Sequence, residues 1–202
     1  MKQIVLIAAM FIAMLVIAVE EQTPAAELQL KMAELTTFSA SFTQTTSDID
    51  GFLLDELQGK LFFSRPNHLR WEASAPYSQT MVADGETIYL YDPDLAQVTV
   101  RPWSNDPSEN PAVIFLSGTD LSNDFVVSFE GDIYTLMPRA ESSTIFSLSV
   151  SLDEGVPSAM IIDDALGQKT KIEFNDAKVG EELDQSMFQF DIPEGIDVIT
   201  DG

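Results

Sequence analysis

From Phe38 onward the chain is written with a period of two. Phe38, Ala40 and Phe42 alternate with Ser39, Ser41 and Thr43, the pattern of a strand with one dry and one wet face. Further strand-like runs are Leu57 to Ser64, Leu69 to Ala73, Thr80 to Ala83, Thr87 to Tyr91, Gln97 to Arg101, Phe125 to Glu130, Ile133 to Pro138, Ile145 to Leu152, Ala159 to Asp163 and Lys169 to Asn175. Between them stand Asp84-Gly85, Asp92-Pro93-Asp94, Glu130-Gly131-Asp132, Asp153-Glu154-Gly155 and Leu166-Gly167, all tight-turn sequences. Tight turns join antiparallel neighbours. The pattern therefore predicts a mainly β chain folded as a barrel or strongly curved sheet, and excludes a doubly wound α/β fold.

Two helical segments interrupt this pattern. Thr23 is a candidate N-cap with Pro24 at the first helical position, and Leu28, Met32 and Leu35 recur at spacings of four and three. That helix has one apolar stripe and ends near Thr36. The second has Asn110 as N-cap, Pro111, then Ala112 to Leu116, with Gly118 as a stop. It is apolar nearly all round, so it must be buried or must cover something apolar. Trp103 to Pro111 reads as an ordered loop, and there is no internal repeat.

The start of the chain is an address. Lys2 supplies a short positive region, Ile4 to Ile17 carry no charge, and Val16-Ile17-Ala18 offers a cleavage site before Glu20 and Glu21. A secretory signal over residues 1–18 is expected, leaving 19–202 as a single domain. A transmembrane anchor needs about 20 apolar residues and a cationic flank, and this run has carboxylates instead. The longest later apolar run is Ala112 to Leu116, so no stable membrane insertion is expected.

Cysteine is absent, which removes disulfides, thiolate chemistry and the acylated N-terminal Cys of an anchored lipoprotein. The net charge of −23 argues against nucleic acid and against adhesion to anionic lipid, and acidity of this kind keeps an apolar protein dispersed.

Chemistry has few places to reside. His68 is the one histidine, and no Gly-x-Ser-x-Gly elbow occurs. The pairs Asp48 and Asp50, Asp92 and Asp94, and Asp163 and Asp164 all fall in turns without calcium-loop spacing, and read as solvated turn carboxylates. No catalytic residue, metal or cofactor is assigned. A lipid hydrolase using a serine with His68 remains the enzymatic alternative.

The segment from Gly59 to Glu72 carries more. In a strand over Gly59 to Arg65, Leu61, Phe63 and Arg65 share one face while Lys60, Phe62 and Ser64 share the other. After Pro66-Asn67 the same parity joins Leu69 to Trp71 and sets His68, Arg70 and Glu72 opposite. An arginine thus lies in line with apolar neighbours. It either extends its guanidinium to water or aims it at an interior acceptor.

The stretch Phe38 to Gln44, the strand Gly59 to Phe63, Arg65-Pro66-Asn67, Trp71-Glu72, Pro76, Asp84-Gly85, Tyr91-Asp92-Pro93 and Leu95 to Val98 resemble the periplasmic outer-membrane lipoprotein carrier family, LolA. The likeness runs from about Leu28 to the C-terminus. It implies an unclosed antiparallel β-barrel covered by an α-helical lid, located in the periplasm and monomeric. Acyl chains of lipoproteins would occupy a cavity lined by Phe42, Leu61, Phe63, Leu69, Trp71, Met81, Ile114 and Phe115. Arg65, in the Arg-Pro-Asn motif, would hydrogen-bond lid backbone and lock the empty form closed. The implied partners are acylated lipoproteins, an inner-membrane ABC transporter that releases them and an outer-membrane receptor that accepts them.

Three features depart from the family pattern. His68 and Leu69 stand where an aromatic usually follows Arg-Pro-Asn, Tyr89 stands where a Trp is common, and the chain is far more acidic. They bear on the cavity mouth and on docking. A lipid or lipoprotein sensor with the same barrel is the alternative binding function; it is expected to need about a hundred further residues beyond Gly202.

Overall fold

A computed structural model of the chain describes residues 22–105, 113–116, 118, 120–141 and 143–200. The expected signal segment and the positions Asn110, Pro111 and Ala112 lie outside the described residues.

The first helix, α1 (Pro24–Glu34), starts as its sequence predicts. Thr23 Oγ1 accepts a hydrogen bond from the Ala26 amide at 3.3 Å, and Pro24, which has no amide to satisfy, opens the first turn. Ala25, Leu28 and Met32 form its buried stripe. The strand β1 (Thr37–Ser47) follows, with Phe38, Ala40 and Phe42 buried and the intervening side chains only partly so.

The chain continues through β2 (Leu53–Ser64), β3 (His68–Ala75), β4 (Gln79–Asp84), β5 (Thr87–Asp92) and β6 (Gln97–Pro102). Two short helices, α2 (Val113–Leu116) and α3 (Leu121–Asp124), lead into β7 (Phe125–Glu130), β8 (Ile133–Pro138), β9 (Ile145–Asp153), β10 (Val156–Asp164) and β11 (Lys169–Val179). A 3₁₀ turn, Gln185–Phe188, and β12 (Asp197–Thr200) complete it. All twelve strands form one sheet in the order β12-β6-β5-β4-β3-β2-β1-β11-β10-β9-β8-β7. Its outermost strands, β12 and β7, do not pair with each other, so the barrel is unclosed, as expected.

Most neighbours are consecutive hairpins, but β1 joins β11 across the length of the chain, from Phe38↔Val179 to Ser47↔Lys169. That pairing extends β11 past Asn175, over a bulge near Ser41 where Asp176 adopts a left-handed φ of 52°. β2 begins at Leu53 instead of Leu57. Asp48 Oδ1 accepts from the amides of Asp50 and Phe52 at 3.0 and 2.8 Å, which closes the loop early enough for Leu53 to pair with Ser47. Leu53 and Leu54 remain exposed, so backbone pairing and not burial accounts for those residues.

The main core lies inside the curve of the sheet and beneath α1, α2 and α3. A second, smaller one lies on the convex side. There Phe188 and Val82 are buried, Phe190 stacks near Tyr89 and Tyr91 at 5.5 and 5.7 Å, and Arg70 Nη1 donates to the Met187 carbonyl at 2.9 Å. The sequence reading assigned no element to this C-terminal strap, nor to β12, which pairs with β6 in parallel.

Candidate functional site

Between the concave face of the sheet and α2 lies a cavity of about 270 Å³. Six of the residues expected from the sequence line it: Leu61, Phe63, Leu69, Trp71, Met81 and Phe115. Phe42 lies against that wall, stacked on Trp71 with centroids 3.8 Å apart. Ile114 is buried in the core from the same helix as Phe115. The parity of β2 and β3 is as read. Leu61, Phe63 and Leu69 are buried on the concave side, whereas His68 and Arg70 meet the convex strap.

Gly59 makes this wall possible. A Cβ there would collide with the Glu72 carbonyl and lie 2.7 Å from Phe42 Cζ, so only glycine lets the Phe42 ring lie across β2.

The sequence reading missed the opposite wall. Met160 and Ile162 on β10, with Ile172 and Phe174 on β11, also line the cavity, and Phe174 meets Phe38 edge-on with centroids 5.7 Å apart. The alternation of Ile172 and Phe174 is visible in the sequence, but their meeting β1 depends on a pairing of residues more than a hundred positions apart. Two polar side chains, Gln44 and Gln79, also border the space.

Among the described residues, the lid is held to the first helix. α1 packs against α2 and α3, and Gln29 Nε2 donates to the Gly118 carbonyl at 3.3 Å. Arg65 arrives at the same residue from the sheet. Its Nη1 lies 3.5 Å from where a Gly118 Cβ would stand, and its Nε is buried with no hydrogen-bond partner. Burial lowers the guanidinium pKa from the usual arginine range, although an arginine remains charged. The side chain therefore reaches Gly118, just beyond α2.

The remaining candidates for chemistry are spent on structure. His68 Nδ1 lies 2.6 Å from the Pro66 carbonyl, and its ring packs edge-on to Phe188, away from the cavity. Asp48, Asp92 and Asp164 accept amides of their own turns. Among the described residues no group of three or more potential metal ligands occurs, and no helix is long and apolar enough to cross a membrane. At the hairpin end opposite Arg65, Ile49, Phe52, Phe146 and Leu166 are exposed.

An unclosed antiparallel barrel with a greasy hollow under a helical cover defines a class of folds able to shelter apolar ligands. Residues 33–191 match the family described as outer membrane lipoprotein carrier protein LolA, and the chain belongs to that family. An outer-membrane lipoprotein carrier protein of Chromohalobacter salexigens is 38% identical over 189 residues, covering 91% of this chain and 90% of that one. Its counterpart in Pseudomonas aeruginosa is 36% identical over 82% of each. Among solved structures, a LolA superfamily protein from Nitrosomonas europaea superposes with a TM-score of 0.51 at 13% identity, over 84% of this chain and 99% of the other. At that identity the likeness concerns the fold alone.

Proposed function

We infer that this protein is a periplasmic carrier that takes acyl chains of lipoproteins into the cavity beneath α2 and moves them between membranes. The observation that carries the reading is the cavity wall itself, apolar at fourteen of its sixteen lining positions. Its relatives are named as carriers of outer-membrane lipoproteins. Each acyl methylene left in water costs about 0.8 kcal/mol, so a lipoprotein bearing several long chains faces tens of kcal/mol unless a protein replaces the membrane. Binding alone meets that need, and no bond has to be made or broken.

The donor is an inner-membrane ABC transporter and the acceptor an outer-membrane receptor. Residues 1–18 act as a secretory signal, removed on export, and 19–202 form the one carrier domain. Phe42, Leu61, Phe63, Leu69, Trp71, Met81, Ile114 and Phe115 surround the acyl chains. A cavity of about 270 Å³ is smaller than the pockets of roughly 300–1,000 Å³ that hold drug-sized ligands, so loading several chains requires α2 to move. Arg65 favours the closed position. A closed state that competes with cargo lowers apparent affinity and keeps unloading downhill.

The test is displacement. An apolar fluorescent probe binds the mature protein and is driven off by acylated lipoprotein but not by the same polypeptide without its lipid. A probe that fails to bind, or is displaced equally by both, rules the carrier reading out.

A further inference from the structure

The cavity has one feature that hydrocarbon does not call for. Gln44 near the end of β1 and Gln79 at the start of β4 line it among apolar side chains. Both are half-buried, and neither carboxamide has a hydrogen-bond partner among the described residues. Neither amide is sealed from water, so each is left to bond with water or with a ligand in the cavity, which a leucine there could not do.

Their position is directional. Gln44 sits beside Leu57 and Ile172 in the ladder, and Gln79 beside Ala73, all toward the hairpin end of the barrel. Phe38 and Phe63, stacked at 5.2 Å, lie toward the other end, with Phe115 and Leu116 of the lid above. The cavity is therefore amide-bearing at one end and wholly apolar at the other.

We propose that Gln44 and Gln79 form a polar subsite that donates hydrogen bonds to the acyl ester carbonyls of a diacylglyceryl group, orienting its hydrocarbon ends toward Phe38, Phe63 and the lid. An ester carbonyl accepts and cannot donate, and a glutamine NH₂ supplies the missing donor without introducing charge. A fatty-acid carboxylate offers the same acceptor oxygens, but bears a negative charge into a chain of net charge −23. The neutral ester is the better match. This subsite rests on the carrier reading and adds an orientation to it.

The experiment compares two lipids of equal chain length, a diacylglycerol and its dialkyl ether, which lacks both carbonyls. Each competes with an apolar fluorescent probe bound to the mature protein, with palmitate as a third competitor. Two neutral hydrogen bonds lead to about a tenfold preference for the ester. The double variant Gln44→Leu with Gln79→Leu loses that preference and keeps ether binding, which also shows that its cavity is intact. Should this variant not fold, the isotope-labelled ester carbonyl stretch, read by infrared on the wild type, must still shift to lower frequency on binding.

Equal competition by ester and ether in the wild type, or an unshifted carbonyl band, overturns the subsite while leaving the carrier standing. Stronger competition by palmitate than by the diester overturns the ester assignment. Failure of all three lipids to compete counts against the carrier itself.

Discussion

Arg65 Nη1 lies 3.5 Å from the position a Cβ on Gly118 would take, so the first residue of the Arg-Pro-Asn turn touches the chain just beyond the lid helix α2. The Gly118 carbonyl is already held by Gln29 of α1. Sheet, lid helix and first helix converge on one residue. Arg65→Leu is expected to weaken closure, raise retention of cargo and slow its transfer to receptor by about 10- to 100-fold, the scale that a charge-assisted hydrogen bond from the guanidinium to lid backbone would have. Transfer of acylated lipoprotein from the purified carrier to an immobilised receptor measures this, and transfer at the wild-type rate would remove Arg65 from the release step.

Two glycines separate packing from backbone conformation. At Gly59 a methyl group collides with backbone, so Gly59→Ala is expected to cost about 3 kcal/mol or more. At Gly131 no atom lies within 4 Å of the added Cβ, but φ is +64°, and Gly131→Ala should cost about 1–2 kcal/mol from strain alone. Phe42→Ala, which empties the space Gly59 leaves open, should cost about 3–5 kcal/mol. Urea unfolding of the three variants gives the order.

Tyr134 is almost wholly buried, and its hydroxyl meets no partner in hydrogen-bonding geometry. Burial first, and the nearby Glu27 carboxylate second, push its pKa well above the ordinary phenol value of 10.0. The folded protein thus holds a proton that the unfolded chain releases in alkali. Its contribution is complete below about pH 10 and is lost as pH rises further, at up to about 1.4 kcal/mol per pH unit. Tyr134→Phe should match or slightly exceed wild-type stability at pH 7 and show a shallower decline above pH 10, read from urea midpoints.

Trp71 lines the cavity, whereas Trp103, the only other tryptophan, packs against the core outside it with its Nε1 donating to Asn105. An apolar ligand is therefore expected to alter the emission of Trp71. In Trp71→Phe the change should vanish while the ligand still binds within a few-fold. A persistent change would place the ligand near Trp103 instead.

Local pattern carried much of this structure. The alternation at Phe38 to Phe42, the parity that set Leu61 and Phe63 apart from Lys60, and the Thr23-Pro24 start of α1 each depend on neighbours within a few residues. The turn aspartates were legible for the same reason, because Asp48, Asp92 and Asp164 cap amides two to four positions on. The C-terminal strap was not. Phe188 is buried only because it reaches the convex face of β3 and β4, about a hundred residues earlier, and the short run around it has no period of its own.

By itself the sequence determined most of the strands up to β11, the inward faces of β1, β2 and β3 and the apolar character of both helical segments, since period and turn chemistry are properties of consecutive residues. Only tertiary structure decided that β1 pairs with β11, that Met160 and Phe174 complete the cavity opposite Trp71, and that Arg65 ends at Gly118. Those outcomes follow from how far the sheet curves and which distant strands meet. Both are set by the packing of the whole chain, which no short window of residues contains.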